Sequence, residues 1–183
     1  VKAMAISVSG EGPGAAGAGS DQTKTAVLIA VDTLCIPDWL VETIAARLKK
    51  VGVARDRLAI TATHTHTGPM IRDVAPTIFG MPIPAEHQAH IDQYSNELID
   101  RLEQVALAAL ADLRPAKLEY AVGTARFAMN RRTKAGPVDH DLPMLAVKDP
   151  NGKLRAIYLS YACHCVTLSD NLISGDWAGC AAE

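Results

Sequence analysis

The stretch that most restricts the fold is "TAVLIAVD", Thr25 to Asp32, a nearly continuous apolar run bounded by polar residues. A run this short and rich in β-branched residues reads as a strand buried on both faces. Such a strand needs neighbours in its own sheet and layers above and below it. The segments around it supply candidates. "VKAMAISV" at the start of the chain reads as one neighbouring strand. "PDWLVETIAARLKKVG" follows, with Leu40, Ile44, Ala45 and Leu48 at helical spacing. Pro37 and Asp38 stand at its front, and two lysines and Gly52 at its back, where they favour helix initiation and termination. "DRLAITATHTH" reads as the third strand.

Beyond it, "TGPMIRDVAPTIFGMPIP" loses all periodicity and is expected to be a long loop, a kind of segment that is often functional. A long amphipathic helix is predicted over "PAEHQAHIDQYSNELIDRLEQVALAALADLRP", its stripe formed by Ile91, Tyr94, Leu98, Leu102, Val105 and Ala109. "AKLEYAVGTARF" alternates like a strand. "PMLAVKDPNGKLRAIYLSYACH" reads as a hairpin about Asp149-Pro150-Asn151-Gly152. Strands interleaved with helices indicate an α/β fold: a mixed β-sheet core with flanking helices, in a single domain over residues 1–183. "GEGPGAAGAGSDQTK" is expected to be a Gly-rich loop between strands; without G-x-G-x-x-G spacing it is no phosphate cradle.

Several function classes are disfavoured by composition. A formal net charge of −2, no extended Lys/Arg cluster and 4% aromatic residues offer nothing to nucleic acid. No apolar run approaches the roughly 18 residues of a transmembrane helix. No G-x-S-x-G elbow marks a serine hydrolase, and nothing marks Cys163 or Cys165 as an activated thiol. The four cysteines, Cys35, Cys163, Cys165 and Cys180, form no disulfide framework and are expected to fill tight interior space.

The histidines carry the chemistry. His64 and His66 stand two apart, so a strand would point them to one face, beside a Gly-Pro turn. His164 is expected at the end of the strand "AIYLSYACH", also opening into a loop. Two strand ends bearing imidazoles can converge on a metal, although a hydrogen-bonded structural role explains each histidine as simply. His87 and His90, three apart in a polar segment, read as solvated, and His140 as a loop residue of either kind. Asp32 is a candidate to orient a metal-bound histidine, Asp176 a helix N-cap, and Arg131 and Arg132 either a carboxylate or carbonyl clamp or plain loop charges.

The series "ATHTHTGP", "NRR", "VDHDLPMLAVKDPNGKLRAIYLSYACHCVTL" and "DNLISGDWAG" resembles, in content and order, the neutral/alkaline non-lysosomal ceramidase family. The resemblance implies a zinc-dependent hydrolase of the N-acyl amide bond of ceramide-like lipids. It implies His64 and His164 as zinc ligands, with His66 and Arg131 as catalytic residues near the substrate. The family's further ligands, a glutamate and a tyrosine, and an active-site serine lie downstream of the matched segments. On that reading residues 1–183 are the N-terminal fragment of a ceramidase-like catalytic domain, with an incomplete metal shell and no activity alone. "MIRDVAPTIFGMPIP" offers Met70, Ile71, Ile78, Phe79, Met81 and Ile83 as a lipid groove, or as core packing. Cysteines flanking His164 depart from the small or proline residues expected after it. A related zinc hydrolase of a non-lipid amide or ester is therefore one alternative, and a non-catalytic metal-binding module is another. The expected partner is a small-molecule or lipid amide, and the resemblance favours a secreted or extracytoplasmic setting.

Overall fold

The computed structural model describes residues 1–8, 24–78, 80–168 and 171–183. The Gly-rich loop and Phe79 expected from the sequence lie outside the described residues. The chain forms two compact units, Val1–Leu113 with Cys165–Glu183, and Arg114–His164.

In the first unit a three-stranded sheet runs in the order β1 (Lys2–Ser7), β2 (Thr25–Val31), β3 (Leu58–Ala62). The central strand is the apolar run read from the sequence. It pairs antiparallel with β1, Lys2 opposite Ala30, and parallel with β3, Val27 opposite Leu58 and Val31 opposite Ala62. The parallel pair needs a crossover, supplied by α1 (Asp38–Lys49). That helix follows Pro37 in an extended conformation, and the chain leaves it through Gly52 at φ 86°. A 27-residue helix, α2 (Ala85–Ala111), packs on β1, β2 and α1.

The core lies on one face of β2. Val27, Ile29 and Val31 join Leu40, Ile44 and Leu48 of α1 and Leu98, Ile99, Leu102 and Ala106 of α2. The opposite face of β2, Ala26, Leu28 and Ala30, is only half-buried, because both helices contribute to the same cluster. Burial of β2 on two faces is thus corrected to full burial on one.

Within the long loop, Ile71 and Val74 are buried. Trp39 Nε1 donates to the Arg72 carbonyl at 3.1 Å, and the Arg72 amide donates to Ser95 Oγ at 2.9 Å. Those bonds tie the loop to both helices. The candidate groove residues therefore divide: Ile71 is core, whereas Ile78 and Met81 are exposed.

The second unit is a three-stranded antiparallel sheet, β4 (Lys117–Thr124), β5 (Asp141–Lys148), β6 (Leu154–Leu159), paired in chain order. Its hairpin turn is built as the sequence reads. Asp149 Oδ1 accepts from the Asn151 and Lys153 amides at 2.9 Å each, and Gly152 takes φ 86°. A short helix, α3 (Asp176–Ala181), belongs to the first unit. Among the described residues no helix is long and apolar enough to cross a membrane.

Candidate functional site

The histidine turn begins where β3 runs out of partner. The Thr63 amide still donates to the Val31 carbonyl at 2.9 Å, and β2 ends at that residue. His64 then takes a left-handed backbone, φ 63°, and the chain turns. The strand reading of Thr63–His66 is corrected accordingly: the two histidines do not share a strand face. Their rings meet edge to face instead, centroids 5.1 Å apart at 89°. A non-glycine residue held at positive φ costs about 1–3 kcal/mol and persists only where its surroundings dictate it.

The surroundings are specific. His64 Nδ1 lies 2.7 Å from the Leu34 carbonyl oxygen. A carbonyl only accepts, so Nδ1 carries the proton and the lone pair falls on Nε2. The orienting partner is a backbone carbonyl two residues beyond Asp32, the candidate for that role. The Asp32 carboxylate instead faces Gly175, where an added Cβ would lie 3.2 Å from its Oδ1.

Threonines between and after the histidines bind a distant segment. Thr65, fully buried, donates through Oγ1 to the Ser174 carbonyl at 2.9 Å, and Thr67 Oγ1 does so at 3.1 Å. The Ser174 amide donates to the Thr67 carbonyl at 3.0 Å. A Cβ at Gly68 would sit 3.1 Å from the Asp32 carbonyl oxygen, which explains a glycine where the turn passes the end of β2.

A second strap closes the same turn. The His66 amide donates to the Cys165 carbonyl at 3.2 Å, and Cys165 is completely buried. Asp176, 2% exposed, accepts at Oδ1 from Thr167 Oγ1 and the Trp177 amide, both at 2.7 Å, and at Oδ2 from the Leu168 amide at 2.8 Å. Burial pushes its carboxyl up, but these donors outweigh burial and hold it below the ordinary 3.8. Asp176 is therefore corrected from a simple N-cap to a buried link between α3 and residues 167–168.

His164 is the last residue of the second unit, and it lies five positions beyond the end of β6 rather than on it. It is exposed and lines a cavity of about 330 Å3 together with Asn130, Arg131, Val138, Asp139 and Cys163. Arg131 sits in a loop built on Asn130, whose Oδ1 accepts from the Arg132 and Thr133 amides and whose Nδ2 donates to the Pro137 carbonyl. Gly136 packs against that amide, where a Cβ would approach Nδ2 to 2.6 Å. Asn130 builds this loop, and the sequence held it only as part of the motif "NRR". Tyr161 completes the frame: its hydroxyl donates to the Ala125 carbonyl at 2.7 Å and accepts from the Ala128 amide at 3.2 Å.

His87 and His90 are exposed on α2, as their polar segment implied, and His140 is half-buried before β5. All four cysteines are free thiols; Cys165 is buried, Cys35 and Cys163 are half-buried, and Cys180 is exposed, so interior filling describes only part of the set.

No protein-family model and no curated protein matches the chain. Solved structures do. The crystal structure of neutral ceramidase from Pseudomonas aeruginosa aligns with a TM-score of 0.69 and 25% identity over 85% of this chain. A ceramidase complexed with C2 aligns with a TM-score of 0.66 and 24% identity over 85% of it, a likeness of fold. The chain spans about a quarter of those structures, 26% of each.

Proposed function

We infer, from its neutral ceramidase-like relationship, that this chain contributes metal-ligating and substrate-facing residues to a zinc-dependent hydrolase of the N-acyl amide bond of ceramide-like lipids. His64 and His66 stand on one turn of the first unit and His164 ends the second, and each offers an imidazole to a metal ion. His64 and His164 are assigned as ligands, with His66 beside them.

The observation that carries the reading within this chain is the bond from His64 Nδ1 to the Leu34 carbonyl. Metal-ligating histidines almost always donate their second nitrogen to such an acceptor, which fixes the ring and raises the basicity of the other nitrogen. Covalent geometry supports the second ligand. His164 is joined directly to Cys165, whose carbonyl the His66 amide holds, and consecutive Cα atoms are about 3.8 Å apart.

Zinc, when bound, would supply Lewis-acid polarisation of the amide carbonyl and acidify the attacking water. The chain's own groups do the rest. His66, exposed at the turn, stabilises developing negative charge on the carbonyl oxygen or passes a proton to the leaving amine. Arg131, carried on the loop that Asn130 builds, orients a polar group of the substrate through its planar fork.

The test has two readouts. The full chain should bind zinc, measured by competition with a chromophoric chelator. His64→Ala and His164→Ala should each weaken it by more than the roughly 10–100-fold typical of losing an outer-shell partner. Native protein carrying these residues should release fatty acid from ceramide, and His66→Ala should slow that release with less effect on zinc affinity. Turnover of short N-acyl amides with ceramide at background would replace the lipid by a small amide. No zinc binding at all would sink the reading.

A further inference from the structure

Two stretches far apart in sequence meet at the histidine turn, and one buried carboxylate joins them. Residues 165–168 continue the chain from His164, and their contacts lead away from it in order. Cys165 accepts from the His66 amide; Thr167 and Leu168 donate to Asp176. The Asp176 amide returns to Ser174 Oγ at 3.0 Å, and Ser174 Oγ lies 3.1 Å from Thr67 Oγ1. Hydrogen bonds and short stretches of chain together close a circuit from His66 through Cys165, Thr167, Asp176 and Ser174 to Thr67.

Asp176 is the only charged member of that circuit, and it takes φ 55°, a left-handed backbone like that of His64. A Cβ at the preceding Gly175 would meet Gly179 Cα at 2.7 Å, so the entry into α3 tolerates no larger residue. A buried carboxylate that accepts three hydrogen bonds resists displacement, because each broken bond leaves a polar group unsatisfied away from water.

We propose that Asp176 is a positioning residue: through Thr167 and Leu168 it fixes the segment leaving His164 against the turn that carries His64 and His66. Its relevance to metal binding rests on the zinc reading above; its effect on the turn does not. Asn at 176 can keep the Thr167 bond at its carbonyl oxygen, but it turns an NH2 group toward the Leu168 amide, donor against donor. Thr167→Val removes only the hydroxyl tether, and Thr167→Ser restores it.

The experiment reads the turn first and the metal second. On the metal-free full chain, amide hydrogen exchange should quicken at His66 by about tenfold or more in Asp176→Asn and Thr167→Val, a loss of roughly 1.4 kcal/mol in local protection. Amides of β2 should keep their protection, and Thr167→Ser should behave as wild type. In zinc competition, Asp176→Asn and Thr167→Val should weaken binding by about tenfold, with Thr167→Ser close to wild type. Unchanged exchange at His66 in both variants overturns the positioning role. Quickened exchange with unchanged zinc affinity overturns its link to the metal. A wild-type chain that binds no zinc overturns the functional reading alone, since His66 exchange is read without metal.

Discussion

The two units hold a three-stranded sheet by different means. In Val1–Leu113 with Cys165–Glu183, the central strand sets Val27, Ile29 and Val31 at 0–1% exposure under two helices. In Arg114–His164, Ala128 is the only buried apolar residue among the described residues, and Tyr120 of β4 stands 70% exposed. The first sheet is held by burial. The second is held by strand pairing, a well-formed turn and local bonds from Asn130 and Tyr161. The difference separates the chemistry as well: the histidine turn belongs to the deeply packed unit, and Arg131 to the lightly packed one. The His64 ring, bonded to the Leu34 carbonyl, is therefore expected to move less than the Arg131 loop.

Substitutions of unequal severity can break that contrast. Leu102→Ala, at a fully buried position of α2, should cost about 2–5 kcal/mol in urea unfolding; a cost under about 1 kcal/mol would remove burial as the basis of the first unit. Asp176→Asn should cost about 1–3 kcal/mol near neutral pH. Its sign with pH is fixed by the lowered carboxyl. The wild-type contribution is complete above the ordinary 3.8 and is lost as pH falls through the depressed folded value. Wild type and variant should thus converge in acid, as followed by circular dichroism; a gap that widens there would contradict the assigned ionisation. Gly152→Ala in the β5–β6 turn forces a side chain to φ 86° and should cost about 1–2 kcal/mol, felt by the hairpin amides more than by β2. Tyr120→Thr on exposed β4 should stay within about 0.5 kcal/mol. A loss above 2 kcal/mol, roughly the scale of burying a large side chain, would mean that the β4 face is covered in solution.

Periodic features were legible in the sequence. The apolar run of β2 and the 3.6-residue spacing of α1 announced themselves, and Leu98 and Leu102 of α2 were read correctly. The rest of the α2 stripe was displaced: Ile99 and Ala106 are inside, whereas Tyr94 and Val105 flank the core half-buried. The Thr-His-Thr-His alternation imitates a strand because its period is two. A strand also needs a partner, and β2 stops at Val31, a limit that alternation cannot reveal. Asp176 was misread because its donors Thr167 and Leu168 lie nine and eight residues upstream, where no periodicity connects them. The neutral ceramidase-like relationship, by contrast, was legible from the order of short motifs, and the solved structures bear it out.

The bond between Thr65 and Ser174 closes a span of 109 residues. Bringing such ends together costs about 4 kcal/mol of chain entropy on the logarithmic scale, beyond a constant. During synthesis the strands and helices that make the first core leave the ribosome well before Ser174 does, and N-terminal parts fold as they emerge. The histidine turn therefore waits, half-built, for Cys165 and Ser174 to reach it. A nascent chain stalled before position 174 would carry a formed core and an unfinished turn.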